Sequence, residues 1–250
     1  MILPLREVRG VFTPENIIQK PIKYPSRESN KVVLPLPPPK GGFINSVHKF
    51  KLESILKTGI IILAAGSSSR LGEPKQQVLF KGKTLLQNAI ETAQKTACKP
   101  VIVVLGANAE KIQSTIQNPE IIITQNSDWQ QGMGSSIRVG LQQLLQTDAE
   151  INNVILLVCD QPFVTSELLK KLIATKAETG KKIVVCTYAE TIGTPVLFDK
   201  MYFPELMNLQ GQDGAKKLLK KFETEVATIL FPFGEIDIDT PEEYAALQNL

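Results

Sequence analysis

The sequence predicts an α/β fold in which a mostly parallel sheet is covered by helices on both faces. Three observations lead there. From Gly59 onward, short runs of β-branched and aliphatic residues alternate with stretches whose apolar residues recur at helical spacing. The first run, residues 60–63, opens directly into the small residues Ala64, Ala65 and Gly66 and then Ser67-Ser68-Ser69-Arg70. A later run, residues 154–158, ends in Cys159-Asp160-Gln161-Pro162. Open parallel sheets collect ligands at the carboxyl ends of their strands, so both loops are expected on one edge.

Taken in order, Leu85, Leu86, Ala89, Ile90 and Ala93 mark the buried face of a first helix. Residues 101–105 read as a second buried strand between Pro100 and Gly106. A polar helix is expected over 110–117 and a third strand over 121–124. Gly132-Met133-Gly134-Ser135-Ser136 opens a helix marked by Ile137, Leu141, Leu144 and Leu145. Residues 154–158 form the next strand, Thr165 caps the helix after it, and 183–186 is a further strand. This alternation describes a Rossmann-like, doubly wound sheet. Beyond it, 193–198 reads as a strand and Asp213-Gly214-Ala215 begins a helix. Residues 237–244 read as a strand running into a helix, with Thr240 as N-cap, Pro241 at the first helical position and Glu243 completing a capping box.

Residues 1–58 differ from this pattern. They hold eight of the sixteen prolines and ten Lys/Arg against four Asp/Glu, whereas the whole chain carries only +3. Proline lacks an N–H and favours extended backbone, so 1–58 is expected to be a flexible, basic, Pro-rich extension, with a short helix over 44–57 leading into a domain over 59–250. The small net charge argues against a nucleic-acid partner. Three dispersed cysteines, Cys98, Cys159 and Cys186, suit neither a disulfide framework nor a zinc site and point to a reducing, cytoplasmic setting. The single histidine, His48, falls in the extension, which disfavours histidine-based catalysis in the domain. No apolar run approaches a membrane span.

The chemistry centres on the loop after the first strand. Small residues let a polyanion approach the backbone, and Arg70 and Lys75 add positive charge. The order matches neither the P-loop nor the dinucleotide glycine fingerprint. Asp160, at the end of a buried strand, is the first candidate for a divalent metal, which transfer between two phosphates calls for.

The run Leu63-Ala64-Ala65-Gly66-Ser67-Ser68-Ser69-Arg70-Leu71-Gly72-Glu73-Pro74-Lys75 resembles the signature of the MobA-like nucleotidyltransferase family, and in particular its molybdenum cofactor cytidylyltransferase group. Asp160-Gln161-Pro162 is similar to that group's metal-binding motif, and the 237–244 segment resembles its closing motif. The resemblance implies the nucleotide-diphospho-sugar transferase type of fold. It also implies nucleotide contacts from Leu63, Ala64, Ala65, Gly66, Arg70, Lys75, Gly134, Ser135 and Ser136, with catalysis by Arg70, Lys75 and Asp160. Magnesium would be held by Asp160 and Asp239. One acid of the Asp237/Asp239 pair is expected to face the metal, Asp239 in preference to Asp237. Trp129 and Asn126 are weaker nucleotide candidates, and Arg138 and Lys83 read as surface charges. Gly211-Gln212-Asp213-Gly214-Ala215 resembles an acceptor-side motif.

The implied reaction is CTP with molybdopterin, releasing pyrophosphate, and the implied downstream partner is a molybdoenzyme or its maturation chaperone. Ala65, where guanylyltransferases carry glycine, favours CTP. The alternatives are molybdopterin guanylyl transfer, methylerythritol-phosphate cytidylyl transfer, which shares a motif like Pro74-Lys75-Gln76, and a non-catalytic nucleotide-binding module.

Overall fold

Runs of isoleucine and valine set the centre of the molecule. The computed structural model describes residues 57–211 and 214–248. The expected helix over 44–57, His48, nearly all of the 1–58 extension, and Gln212 and Asp213 lie outside the described residues.

In chain order the elements are β1 (Thr58–Ala64), the short strands β2 (Leu79–Phe80) and β3 (Lys83–Thr84), α1 (Leu85–Gln94), β4 (Val101–Leu105), α2 (Ala109–Gln113) and β5 (Ile121–Gln125). They continue with α3 (Met133–Thr147), β6 (Asn153–Val158), α4 (Ser166–Thr179), β7 (Ile183–Tyr188) and β8 (Thr191–Asp199). The remainder are α5 (Phe203–Met207), α6 (Lys216–Lys221), β9 (Val226–Leu230) and α7 (Pro241–Leu247). Among the described residues one sheet has the order β5-β4-β1-β6-β8-β7-β9.

β1 is buried along its whole length, with β4 and β6 parallel to it on either side. Its side chains alternate between two cores. Ile60, Ile62 and Ala64 pack with Leu86 and Ile90 of α1 on one face. On the other, Ile61 and Leu63 pack with Ile137, Leu141 and Leu144 of α3. Each fully buried Ile or Leu contributes about 1.5–3 kcal/mol relative to exposure. Helix α3 comes in close because Gly140 faces the sheet, where a Cβ would meet Ile61 Cγ2 at 2.6 Å and Val104 Cγ2 at 2.8 Å. Thr84 and Thr165 cap α1 and α4 through their hydroxyls.

The C-terminal half departs from simple alternation. β8 runs antiparallel to both β6 and β7 and lies between them, while β9 is parallel to β7 at the sheet edge. Ala189 and Glu190 join β7 to β8 with φ of 44° and 60°, so the chain reverses in a tight hairpin and does not cross over through a helix. Two expectations need correction here. Residues 237–239 form no strand, and the helix expected over 110–117 stops at Gln113. The capping box is complete: Thr240 Oγ1 accepts from Glu243 N at 3.2 Å, and Glu243 Oε2 accepts from Thr240 N at 2.9 Å.

A third, smaller core carries the C-terminal segment to the first loop. Ile238, fully buried, and Leu247 pack with Leu71, Val78, Phe80 and Leu85. That contact brings Asp239 to the carboxyl edge of β1.

Candidate functional site

The loop leaving β1 and the turn leaving β6 lie side by side because their strands are paired, Leu63 opposite Val158. Between them a cavity of about 350 Å³ is lined by Leu63, Ala64, Ala65, Gly66, Lys75 and Asp160, among others. This is the size of a small-molecule pocket. Gly106, at the end of β4, packs against its back wall, where a Cβ would meet Ala65 O and Trp129 Cβ at 2.6 Å.

Four charged side chains meet at its mouth. Lys75 Nζ donates to Asp160 Oδ2 at 2.5 Å and to Asp239 Oδ1 at 2.8 Å, and Arg70 donates to Asp239 Oδ2 at 2.5 Å. Lys75 and Asp160 are mostly buried, whereas the Arg70 side chain is 70% exposed. Burial alone would lower the Lys75 pKa, but the Asp160 and Asp239 carboxylates outweigh it and hold the ammonium above its usual range. Partial burial opposes ionisation of Asp239, yet Lys75 and Arg70 hold its carboxyl below the usual range. Two cations and two anions balance, so the cluster sits at the cavity without the several-kcal/mol penalty of an unpaired buried charge.

Asp239 is the acid of its pair that contacts Lys75. Ile238, between the two aspartates, is fully buried in the third core. Partial burial and the neighbouring Asp160, Asp239 and Glu243 push the Asp237 carboxyl up. No cluster of three or more His, Cys, Asp or Glu that could hold a metal occurs among the described residues. What the chain offers is two carboxylates reaching one cation position. That donor set fits magnesium, which binds through one or two carboxylates and completes its shell with water and substrate phosphates.

The expected nucleotide residues divide. Leu63 to Gly66, Lys75 and Ser136 line the cavity together with Trp129, Gly132 and Met133. Arg70, Gly134 and Ser135 do not. The Ser135 hydroxyl is 1% exposed, donates to the carbonyls of Asp128 and Gly132, and accepts from Asn126 Nδ2 at 2.8 Å. It braces the start of α3. Asn126 also donates to Ser136 Oγ at 3.0 Å, so its amide orders both serines from within. Arg138 is not a free surface charge: half-buried, it donates to the Leu209 carbonyl. Lys83 is exposed and pairs with Glu91.

Buried Cys159 lines the cavity, but burial and the Asp160 charge push its thiol up to about 12, which rules out a thiolate nucleophile at neutral pH. Gln76, absent from the expected set, is buried beside the loop; its only signal was its place in Pro74-Lys75-Gln76.

A second cavity, about 410 Å³, shares Leu63, Met133 and Val158 with the first. Tyr188, Thr194, Val196, Ala215 and Lys216 complete much of its wall, and no carboxylate lines it among the described residues. Gln161, in the turn after β6, ties that turn to β8 and to the C-terminal segment: Oε1 accepts from Thr194 Oγ1 at 3.0 Å, and Nε2 donates to the Gly234 carbonyl at 2.8 Å.

This geometry agrees with what the chain is similar to. Residues 60–226 match the family model of the MobA-like NTP transferase domain. The purine catabolism protein PucB of Bacillus subtilis (strain 168) is 29% identical over 194 residues, 74% of this chain and 92% of PucB. Nicotine blue oxidoreductase of Paenarthrobacter nicotinovorans is 34% identical over 119 residues, 46% of this chain and 55% of that protein. The crystal structure of Rv0371c from Mycobacterium tuberculosis H37Rv superposes with a TM-score of 0.67 at 26% identity, covering 78% of this chain and 100% of that one. A second structure of Rv0371c, a complex with manganese, has a TM-score of 0.63 at 25% identity over 77% of this chain and 98% of that one.

Proposed function

The chain belongs to the MobA-like NTP transferase family, and from that premise we propose that it uses magnesium and CTP to cytidylylate the terminal phosphate of molybdopterin. The observation that carries the reading is the convergence of Asp160 and Asp239 on one cation position beside the β1 loop. The manganese complex of Rv0371c lends support to a divalent metal.

In this reaction an acceptor phosphate oxygen attacks the α-phosphorus of CTP. A new P–O bond forms, the bond to the β-phosphate oxygen breaks, and pyrophosphate leaves with the bonding pair. The attacking phosphate is already ionised, so no side chain needs to remove a proton, which suits a site with no histidine among the described residues. A metal held by Asp160 and Asp239 would supply Lewis-acid neutralisation of phosphate charge. Lys75 and Arg70, now engaged by the two carboxylates, would turn to the triphosphate and stabilise charge as it develops. The loop from Leu63 to Gly66 would cradle the nucleotide, with Ser136 and Trp129 also lining its cavity. The Ala65 methyl would narrow the space for the base and favour a pyrimidine over a purine. The acceptor would lie in the second cavity, and a molybdoenzyme or its maturation chaperone would receive the product. Three free, buried cysteines are in keeping with a reducing compartment such as the cytoplasm.

The relative named as an oxidoreductase matches under half of this chain, and the paired carboxylates beside an anion loop favour transfer over redox chemistry. Thermal unfolding with CTP, GTP, ATP and UTP, each with and without magnesium, tests the reading, since a ligand of the folded state raises the melting temperature. Selective, magnesium-dependent stabilisation by CTP is expected. Preference for GTP would move the assignment to guanylyl transfer. No response to any nucleotide would overturn the transferase reading in favour of a non-catalytic module.

A further inference from the structure

Gln76 is 1% exposed and takes no part in the chemistry above. Its amide nitrogen donates to the carbonyls of Ala64 and Gly66, each at 2.9 Å. Between them, the Ala65 carbonyl accepts from Ala107 N at 3.1 Å. Three consecutive carbonyls of the loop are thus turned onto donors of the protein. A peptide unit is planar and trans, so the N–H following each carbonyl points the other way. The N–H groups of Ala65 and Ser67 therefore face away from the Gln76 amide. Carbonyl oxygens repel a polyphosphate and N–H groups attract it, so this orientation decides whether the loop can receive one.

Gln76 also adjoins Lys75, whose backbone N–H donates to Ser68 Oγ at 3.0 Å. Two side chains, Ser68 and Gln76, thereby close the loop on itself and hold the Lys75 backbone against the residues that leave β1, while its ammonium reaches Asp160 and Asp239. Packing alone does not explain a glutamine here. Its Oε1 is buried with no hydrogen-bond partner, a desolvation penalty left uncompensated, and an apolar side chain of the same length would avoid it. Both groups facing the amide are acceptors, so its nitrogen must point at them. The residue is there for its donor end.

We propose that Gln76 is the positioning residue of the nucleotide loop, keeping the Ala64 and Gly66 carbonyls out of the path of a triphosphate and Lys75 in register with it. The proposal deepens the nucleotide-site reading and rests on it only for the binding arm of the test. Gln76→Met and Gln76→Leu keep bulk without a donor, and Gln76→Glu sets a carboxylate against two carbonyls. Hydrogen exchange of the free protein is expected to quicken at least tenfold over residues 64–75 in the Met variant, with peptides from β4 and β6 unchanged. The nucleotide Kd is expected to rise at least tenfold, more for Glu than for Met, with the KM of the acceptor unaltered.

Wild-type exchange over 64–75 in both apolar variants would overturn the proposal. So would faster exchange spread evenly through the sheet, or failure of both variants to fold, since either makes Gln76 a core residue. If the wild-type protein binds no nucleotide, the transferase reading falls and the exchange measurement alone decides the role of Gln76.

Discussion

The two sides of the sheet are built on different plans. From β5 to β6 every strand runs the same way, and the strand exits on that side supply a charge-dense cavity with Lys75 clamped between Asp160 and Asp239. From β8 to β9 the sheet is mixed, with β8 reversed and β7 and β9 parallel to each other, and the cavity there has apolar walls, the hydroxyls of Tyr188 and Thr194, and lysines. The first plan concentrates charge where parallel strands end, while the second makes a smoother recess across the reversed strand. On the proposed assignment of nucleotide to one cavity and acceptor to the other, the difference implies that the two affinities should be separable by mutation, although the cavities share Leu63, Met133 and Val158.

Asp160→Asn should break the comparison most severely. Losing one of the two proposed metal carboxylates is expected to lower turnover on the order of 10³-fold while the protein still folds, as steady-state kinetics beside thermal unfolding would register. Ile238→Ala comes next. Emptying this position in the third core should destabilise the protein by about 2–4 kcal/mol in denaturant titration and loosen Asp239 with it. Smaller and more selective, Gly193→Ala sets a methyl against the Tyr188 hydroxyl. Acceptor KM should rise about tenfold, or about 1.4 kcal/mol, with the nucleotide Kd unchanged; equal losses in both would show that the two sides are not separable.

The smallest effect concerns pH. At the end of β8, Asp199 pairs with Lys176 at 2.7 Å. Burial works against its ionisation, but bonds from Lys176 and the Met201 N–H outweigh it and hold the carboxyl below the usual range. A carboxyl depressed in the folded state adds stability that is complete above about pH 4 and is lost as pH falls through the folded value. Melting temperatures of wild type and Asp199→Asn should therefore differ at pH 7 and converge in acid. A constant gap would mean the pair does not titrate as a unit.

How much of this was legible in the sequence follows the same division. β1, β4, β5 and β6 are runs of buried aliphatic residues, and their loops carry local signals, so strand, loop and Asp160 could be read directly. β9 could not: it is a half-exposed edge strand with no continuous apolar run. The reversal of β8 depends on the Ala189-Glu190 hairpin, which lacks the glycine or asparagine that usually marks such a turn. Side-chain networks were equally hidden. Nothing local says that Asn126 occupies Ser135, or that Gln76 reaches back to Ala64, because both depend on contacts across the fold.

The span of the charged cluster has a consequence for how the protein is made. Lys75 meets Asp160 across 85 residues of chain and Asp239 across 164. At ribosomal speeds, the second interval amounts to roughly 8–30 s of elongation. Over roughly the last 4–16 s of it, between Asp160 and Asp239, the nascent chain holds the loop after β1 and one carboxylate, but not the pair. A ribosome that stalls between them releases a polypeptide that lacks the second acid, so completion of the site doubles as a check that synthesis has passed Asp239.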